Sequence, residues 1–202
     1  MILQLPAVSP AWLVALADAG LYSHIAGGIV GLVSGATALA VQKGSALHRL
    51  AGNVYFIAML VMSAVGAVVA PFLPQRPSMV AGALAFYLTA TGWMSVCRNN
   101  PRGILACTAI LLGTTTAALA ARFACLGLSE PSGELDGLTA APVLVFAAIA
   151  ATGVAFDLKV AWQDGIKGAR RITRHLWRMC VAMLLATVSF FLGQQQMMPK
   201  IV

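Results

Sequence analysis

Acidic side chains are scarce in this chain: six Asp and Glu stand against 13 Lys and Arg in 202 residues, and charged residues make up only 9%. Soluble domains carry about a quarter charged residues, so this chain has too few to cover a water-exposed globule. Lys and Arg are missing before Lys43, so the basic start of a cleavable secretion signal is absent and none is expected. Phosphate-binding glycine loops, HExxH, nucleophile elbows and kinase signatures are missing too. The sequence therefore leans away from an enzyme. The four cysteines form no CxxC pair and read as small packing residues. Carboxylates inside apolar runs are absent apart from Asp157, at the predicted end of a helix, which argues against a proton-coupled transporter. The net charge of +7 does not point to nucleic acid, because the cations cluster by turn rather than along a groove.

Apolar residues are abundant, at 60% of the chain. Several runs reach the roughly 20 residues that cross a bilayer core. The pattern predicts an all-α integral membrane bundle, a single domain over 1–202, with six spans near 21–41, 49–72, 79–97, 104–126, 139–157 and 175–194. Residues 1–19, broken by Pro6 and Pro10, are expected as an interfacial segment before the first span. Lys43, Arg49, Arg98, Arg102, Lys159, Lys167, Arg170, Arg171, Arg174 and Arg178 fall on one side of such a bundle, and only Arg76, Arg122 and Lys200 on the other. Cytoplasmic loops collect Lys and Arg, so both termini are expected on the outer side.

The segment His24 to Tyr55 carries the most distinctive pattern. His24, Gly28, Gly31 and Gly35 share one face of the first helix, and His48, Gly52 and Tyr55 share one face of the second. Gly27, Gly31 and Gly35 form a small-residue ridge that lets another helix approach, from this chain, from another subunit or from a second copy. All three histidines open helices, where the dipole favours the neutral imidazole that binds metal. His48 and His175 lie at the same depth and suit haem iron as a pair, with Gly52 and Tyr55 beside the ring and Arg49 and Arg178 meeting propionates at the surface. No other metal role is expected of them. His24 and Arg122 are the basic side chains embedded near the outer ends of spans one and four, and are expected to share an outer pocket for a quinone carbonyl or an anion.

His24, the cluster His48-Arg49-x-x-Gly52-x-x-Tyr55 and the late Arg174-His175-x-Trp177 resemble a bacterial family of predicted multi-pass membrane proteins without an assigned function. The likeness covers mainly the first two spans and the last. That family often carries His-Arg-x-Trp late in the chain, whereas here the order is His175-Leu176-Trp177-Arg178. The helix-borne histidines also resemble, more loosely, the transmembrane b-type cytochrome and ferric reductase superfamily. The resemblance implies a place in the bacterial inner membrane. The leading expectation is a membrane redox protein that binds one haem b, or a quinone, and passes electrons. The alternatives are a non-catalytic subunit or assembly factor of a larger membrane complex and, third, a small-solute transporter.

Overall fold

Short polar turns set the helix ends. Ser45 caps the second helix by accepting the backbone N–H of His48 at 3.1 Å, and Gly44 takes the positive φ of 79° that the preceding turn needs. Lys43 reaches back to the carbonyls of Ala38 and Leu39, the unsatisfied acceptors at the end of the first helix. The computed structural model describes residues 10–72, 75–97 and 102–193, and six long helices account for most of them. They are α1 (Ala11–Ala40), α2 (Ala46–Val69), α3 (Arg76–Cys97), α4 (Ile104–Ser129), α5 (Ala140–Trp162) and α6 (Ala169–Gly193). A two-residue hairpin pairs β1 (Glu134–Leu135) with β2 (Leu138–Thr139). Its loop residues, Asp136 and Gly137, both have positive φ, the geometry that keeps a tight hairpin in register with the strand twist.

α1 to α5 are each long and apolar enough to cross a membrane. The chain is thus an all-α, multi-pass membrane protein whose apolar helix surfaces contact lipid. α6 carries Arg170, Arg171, Arg174 and Arg178 in its first half and an apolar second half.

α3 is the centre of the bundle. Half of its apolar stretch is buried, against no more than 28% for the other four, and α2, α4, α5 and α6 all pack on it. α1 lies outside α2 and touches α6, while α4 pairs with α5. Small residues set the closest approaches. A Cβ on Gly82 of α3 would stand 2.7 Å from the backbone nitrogen of Ala67 and 2.9 Å from the carbonyl oxygen of Ser63, so α2 and α3 meet backbone to backbone.

Two expectations change here. Residues 11–19 of the anticipated interfacial segment are the first turns of α1 itself; residues 1–9 lie outside the described residues. The glycine ridge, expected to lie against another helix, meets helices of this same chain. Gly27 faces Ala58 and Met62, Gly31 faces Met59, and Gly35 faces Tyr55 and Met183, so large side chains of α2 and α6 already fill it. The polar connection expected from Asp157 to Arg174 shrinks to residues 163–168, because α5 continues to Trp162 and α6 begins at Ala169. That extension places Asp157 inside the bundle. The turn through Pro74, the first four residues of the Arg98–Gly103 hairpin, Lys200 and the predicted last residue of span six fall outside the described residues.

Candidate functional site

The helix extension creates a polar centre between α3, α5 and α6, at the end of the bundle where α5 stops and α6 begins. Three stripes supply it. Tyr87, Thr91 and Ser95 recur every four residues along α3; Gly153 and Asp157 do so on α5, and Arg174 and Arg178 on α6. Each stripe puts its residues on one helix face, and those faces converge.

Asp157 is 5% exposed and Arg178 is fully buried. Arg178 Nη2 donates to Asp157 Oδ1 at 2.6 Å and Nη1 to Oδ2 at 3.3 Å, a two-pronged pair. Nη2 also reaches the Gly153 carbonyl at 2.9 Å, and Nη1 the hydroxyl of Thr91. Arg174 Nη2 donates to the same Oδ1 at 2.6 Å and Nη1 to Ser95 Oγ at 3.1 Å. Tyr87 donates its hydroxyl to Oδ2 at 2.5 Å. Its ring is held in a slot: Cβ atoms on Gly113 of α4 and Gly153 of α5 would each stand 2.8 Å from it. The Arg178 guanidinium also sits 5.2 Å from the Tyr87 ring centre and 5.1 Å from that of Trp177.

One carboxylate thus faces two guanidinium groups, which leaves one positive charge in excess in an enclosed setting. The Nε atoms of Arg174 and Arg178 are buried without a hydrogen-bond partner among the described residues. Beside this centre is a cavity of about 140 Å³, lined by Thr91, Ser95, Asp157 and Arg174 with apolar walls from α4, among them Ile104 and Ile110. Arg102, just before α4, ties that helix to the end of α5: its Nε donates to the Ala161 carbonyl at 3.0 Å and Nη1 stands 3.5 Å from Asp164. Arg171 ties α6 to the end of α3 through the carbonyls of Ser95 and Val96.

The residues predicted for a cofactor are placed as follows. His48 donates from Nδ1 to the Ala38 carbonyl of α1 at 3.0 Å, and His175 from Nδ1 to the Gly92 carbonyl of α3 at 3.0 Å. The two rings are therefore oriented by different helices. Tyr55 is buried and donates to the Met179 carbonyl at 3.0 Å, which joins α2 to α6. Gly52 has open space where a side chain would be. Arg49 reaches the Gly44 carbonyl. Arg178 is not at the surface, where a propionate would need it; Asp157 holds it in the interior. His24 turns into the α1–α2 contact, with Nδ1 2.8 Å from the Met62 carbonyl and its ring against Gly66. Arg122 is exposed on α4, without a partner among the described residues, and α3 lies between α2 and α4. Among the described residues, no three His, Cys, Asp or Glu side chains gather as a metal site.

Sequence reading treated Asp157 as the end of a helix and so missed the site. The signal was present in the four-residue spacing of Tyr87, Thr91 and Ser95 and of Arg174 and Arg178. Comparison with protein-family models, with curated proteins and with solved structures finds no match for this chain.

Proposed function

We propose that this chain is an inner-membrane transport protein whose substrate is a small anion, bound at the cytoplasmic end of α3 to α6. In this reading all six helices span the bilayer, α6 included. Its two inward arginines are tolerated because Asp157 neutralises one and hydrogen bonds surround both. The basic turns mark the cytoplasmic side and both termini face out.

The observation that carries the reading is Arg174. It lines the cavity, shares a carboxylate that Arg178 already neutralises, and keeps a buried Nε–H without a partner. Such a group favours an anion that brings both a charge and an acceptor. The volume limits the ligand to a small carboxylate or an oxyanion such as phosphate. Asp157 supplies what a transporter of this kind requires: a buried acid able to exchange partners as an anion arrives or leaves. The test is a thermal melt of detergent-purified protein titrated with phosphate, sulfate and acetate, followed by counterflow of the labelled anion that shifts it, in proteoliposomes. Stabilisation by at least one anion, lost in Arg174→Gln, is expected. No shift with any of the three would overturn the reading.

A redox role has its own supporting observation. His48 and His175 both donate from Nδ1 to a carbonyl, which leaves Nε2 as the free acceptor; iron-ligating histidines are oriented in the same way. Under that reading His48 and His175 would hold one haem b, with Gly52 giving room at the ring edge. A Soret band in the purified protein, lost in His48→Ala and in His175→Ala, would decide in its favour.

A further inference from the structure

Outside the polar centre, α5 and α6 separate and leave a groove of about 240 Å³ lined by Val145, Ala148, Ile149, Thr152, Trp177 and Val181. On α5 the stripe Val145, Ile149, Thr152, Phe156 continues by one turn to Lys159. On α6 the stripe Val181, Trp177 continues to Arg170, two turns nearer the helix start. Phe156 and Trp177 meet edge to face at 6.2 Å and bridge the groove on its basic side. Lys159 and Arg170 are both exposed, and neither has a partner among the described residues. The groove thus has an apolar trough, an aromatic sill, and two unpaired cations roughly 5–10 Å beyond the sill, by helix rise.

We infer that this groove is a binding site for one anionic phospholipid, with an acyl chain in the trough and its phosphate between Lys159 and Arg170. The trough lies within helices that face hydrocarbon, so a chain already dissolved in the bilayer fills it without leaving its own medium. The cations lie where the headgroup of that chain falls, and juxtamembrane Lys and Arg attract anionic lipid at this depth. Charge complementarity selects the headgroup, and the trough alone would accept any lipid. The site is on the lipid-facing side of the α5–α6 seam, whereas Asp157, Arg174 and Arg178 face inward. A bound lipid would brace the seam without entering the anion cavity.

The test uses the full chain, delipidated in a neutral detergent. Phosphatidylglycerol or phosphatidylcholine is added in mixed micelles, and bound lipid is counted by native mass spectrometry. One phosphatidylglycerol is expected to be retained on the order of tenfold better than phosphatidylcholine, a preference set by two interfacial cations. The double variant Lys159→Ala, Arg170→Ala should lose the preference yet still hold lipid of either kind. Ala148→Trp should fill the trough and reduce retention of both. Equal retention of the two lipids by the unaltered chain would overturn the inference. So would a preference that survives the double variant, or a groove occupied by a second copy of the chain, seen as a dimer that Ala148→Trp dissociates.

Discussion

Arg178 and Asp157 meet two-pronged in the interior of the bundle, with neither side chain more than 4% exposed. An ion pair so placed contributes little net stability as a pair, because both groups were taken out of water to form it. Breaking it is another matter. Asp157→Asn would leave two buried guanidinium groups facing a neutral amide. It should destabilise the fold by about 3–5 kcal/mol. Arg174→Gln leaves the Arg178 pair intact and should cost clearly less. Thermal melts of the two variants in the same detergent check this order, and a larger loss in Arg174→Gln would show that Arg178 is not the principal partner of the carboxylate.

Tyr87 reaches Asp157 only because two glycines clear its ring. Gly153→Ala would place a methyl group 2.8 Å from that ring, and the ring has Gly113 on its other side. Overpacking of this kind costs about 1–3 kcal/mol. Gly52→Ala is the matched control, since nothing lies within 4 Å of the added methyl. There the higher helix propensity of alanine should make the change neutral or stabilising, by up to about 1 kcal/mol. Opposite signs in paired melts are the expected result.

Much of the bundle was legible because hydrocarbon imposes one rule on every span: about 20 apolar residues between polar turns. The rule locates α1 to α5 and the turns between them. It fails at Asp157 and Arg174, which pair at 2.6 Å, for a physical reason. A span boundary drawn at the first charge assumes that charge is seeking water. Here the charges on α5 and α6 neutralise each other inside the bundle, so both helices extend past the predicted boundaries. Pairing between distant segments has no signature in the hydropathy of either one. The ridge shows a similar limit. Spacing revealed that Gly27, Gly31 and Gly35 would lie against something, but not that Tyr55, Met59 and Met62 of the next helix would fill the space.

The internal ridge carries a prediction that separates packing from oligomerisation. A Cβ on Gly31 would stand 3.2 Å from the Met59 sulfur, so Gly31→Leu must displace the Met59 side chain or push α1 away from α2. A loss of about 1–3 kcal/mol is expected. The oligomeric state in detergent, measured by light scattering, should not change, because the ridge is already filled from within the chain. A shift in oligomeric state with an unchanged melt would mean that the ridge meets another copy instead.

At the opposite end of the bundle, Arg76 clamps the hairpin. Its Nε and Nη2 donate to the two oxygens of Asp136, each at 2.8 Å, and its backbone N–H adds a third bond at 2.9 Å. These bonds, the side-chain pair foremost, hold the Asp136 carboxyl below the usual carboxylate range, with the positive charge of Arg76 adding to the effect. The sign follows from linkage. A carboxylate whose pKa is lower in the folded state stabilises that state fully above its unfolded pKa, about 3.9. The contribution fades as pH falls through the folded value, when the protonated group no longer pairs with Arg76. Hydrogen exchange at the backbone amides of residues 134–139 should therefore be slow relative to Asp136→Asn at pH 7. The two should converge as pH drops below about 4. Because Asp136 and Gly137 form the tight turn between β1 and β2, the loosening should be confined to the hairpin and the start of α3. If protection of the hairpin is the same in Asp136→Asn as in the unaltered chain at pH 7, the clamp does not order this end of the bundle.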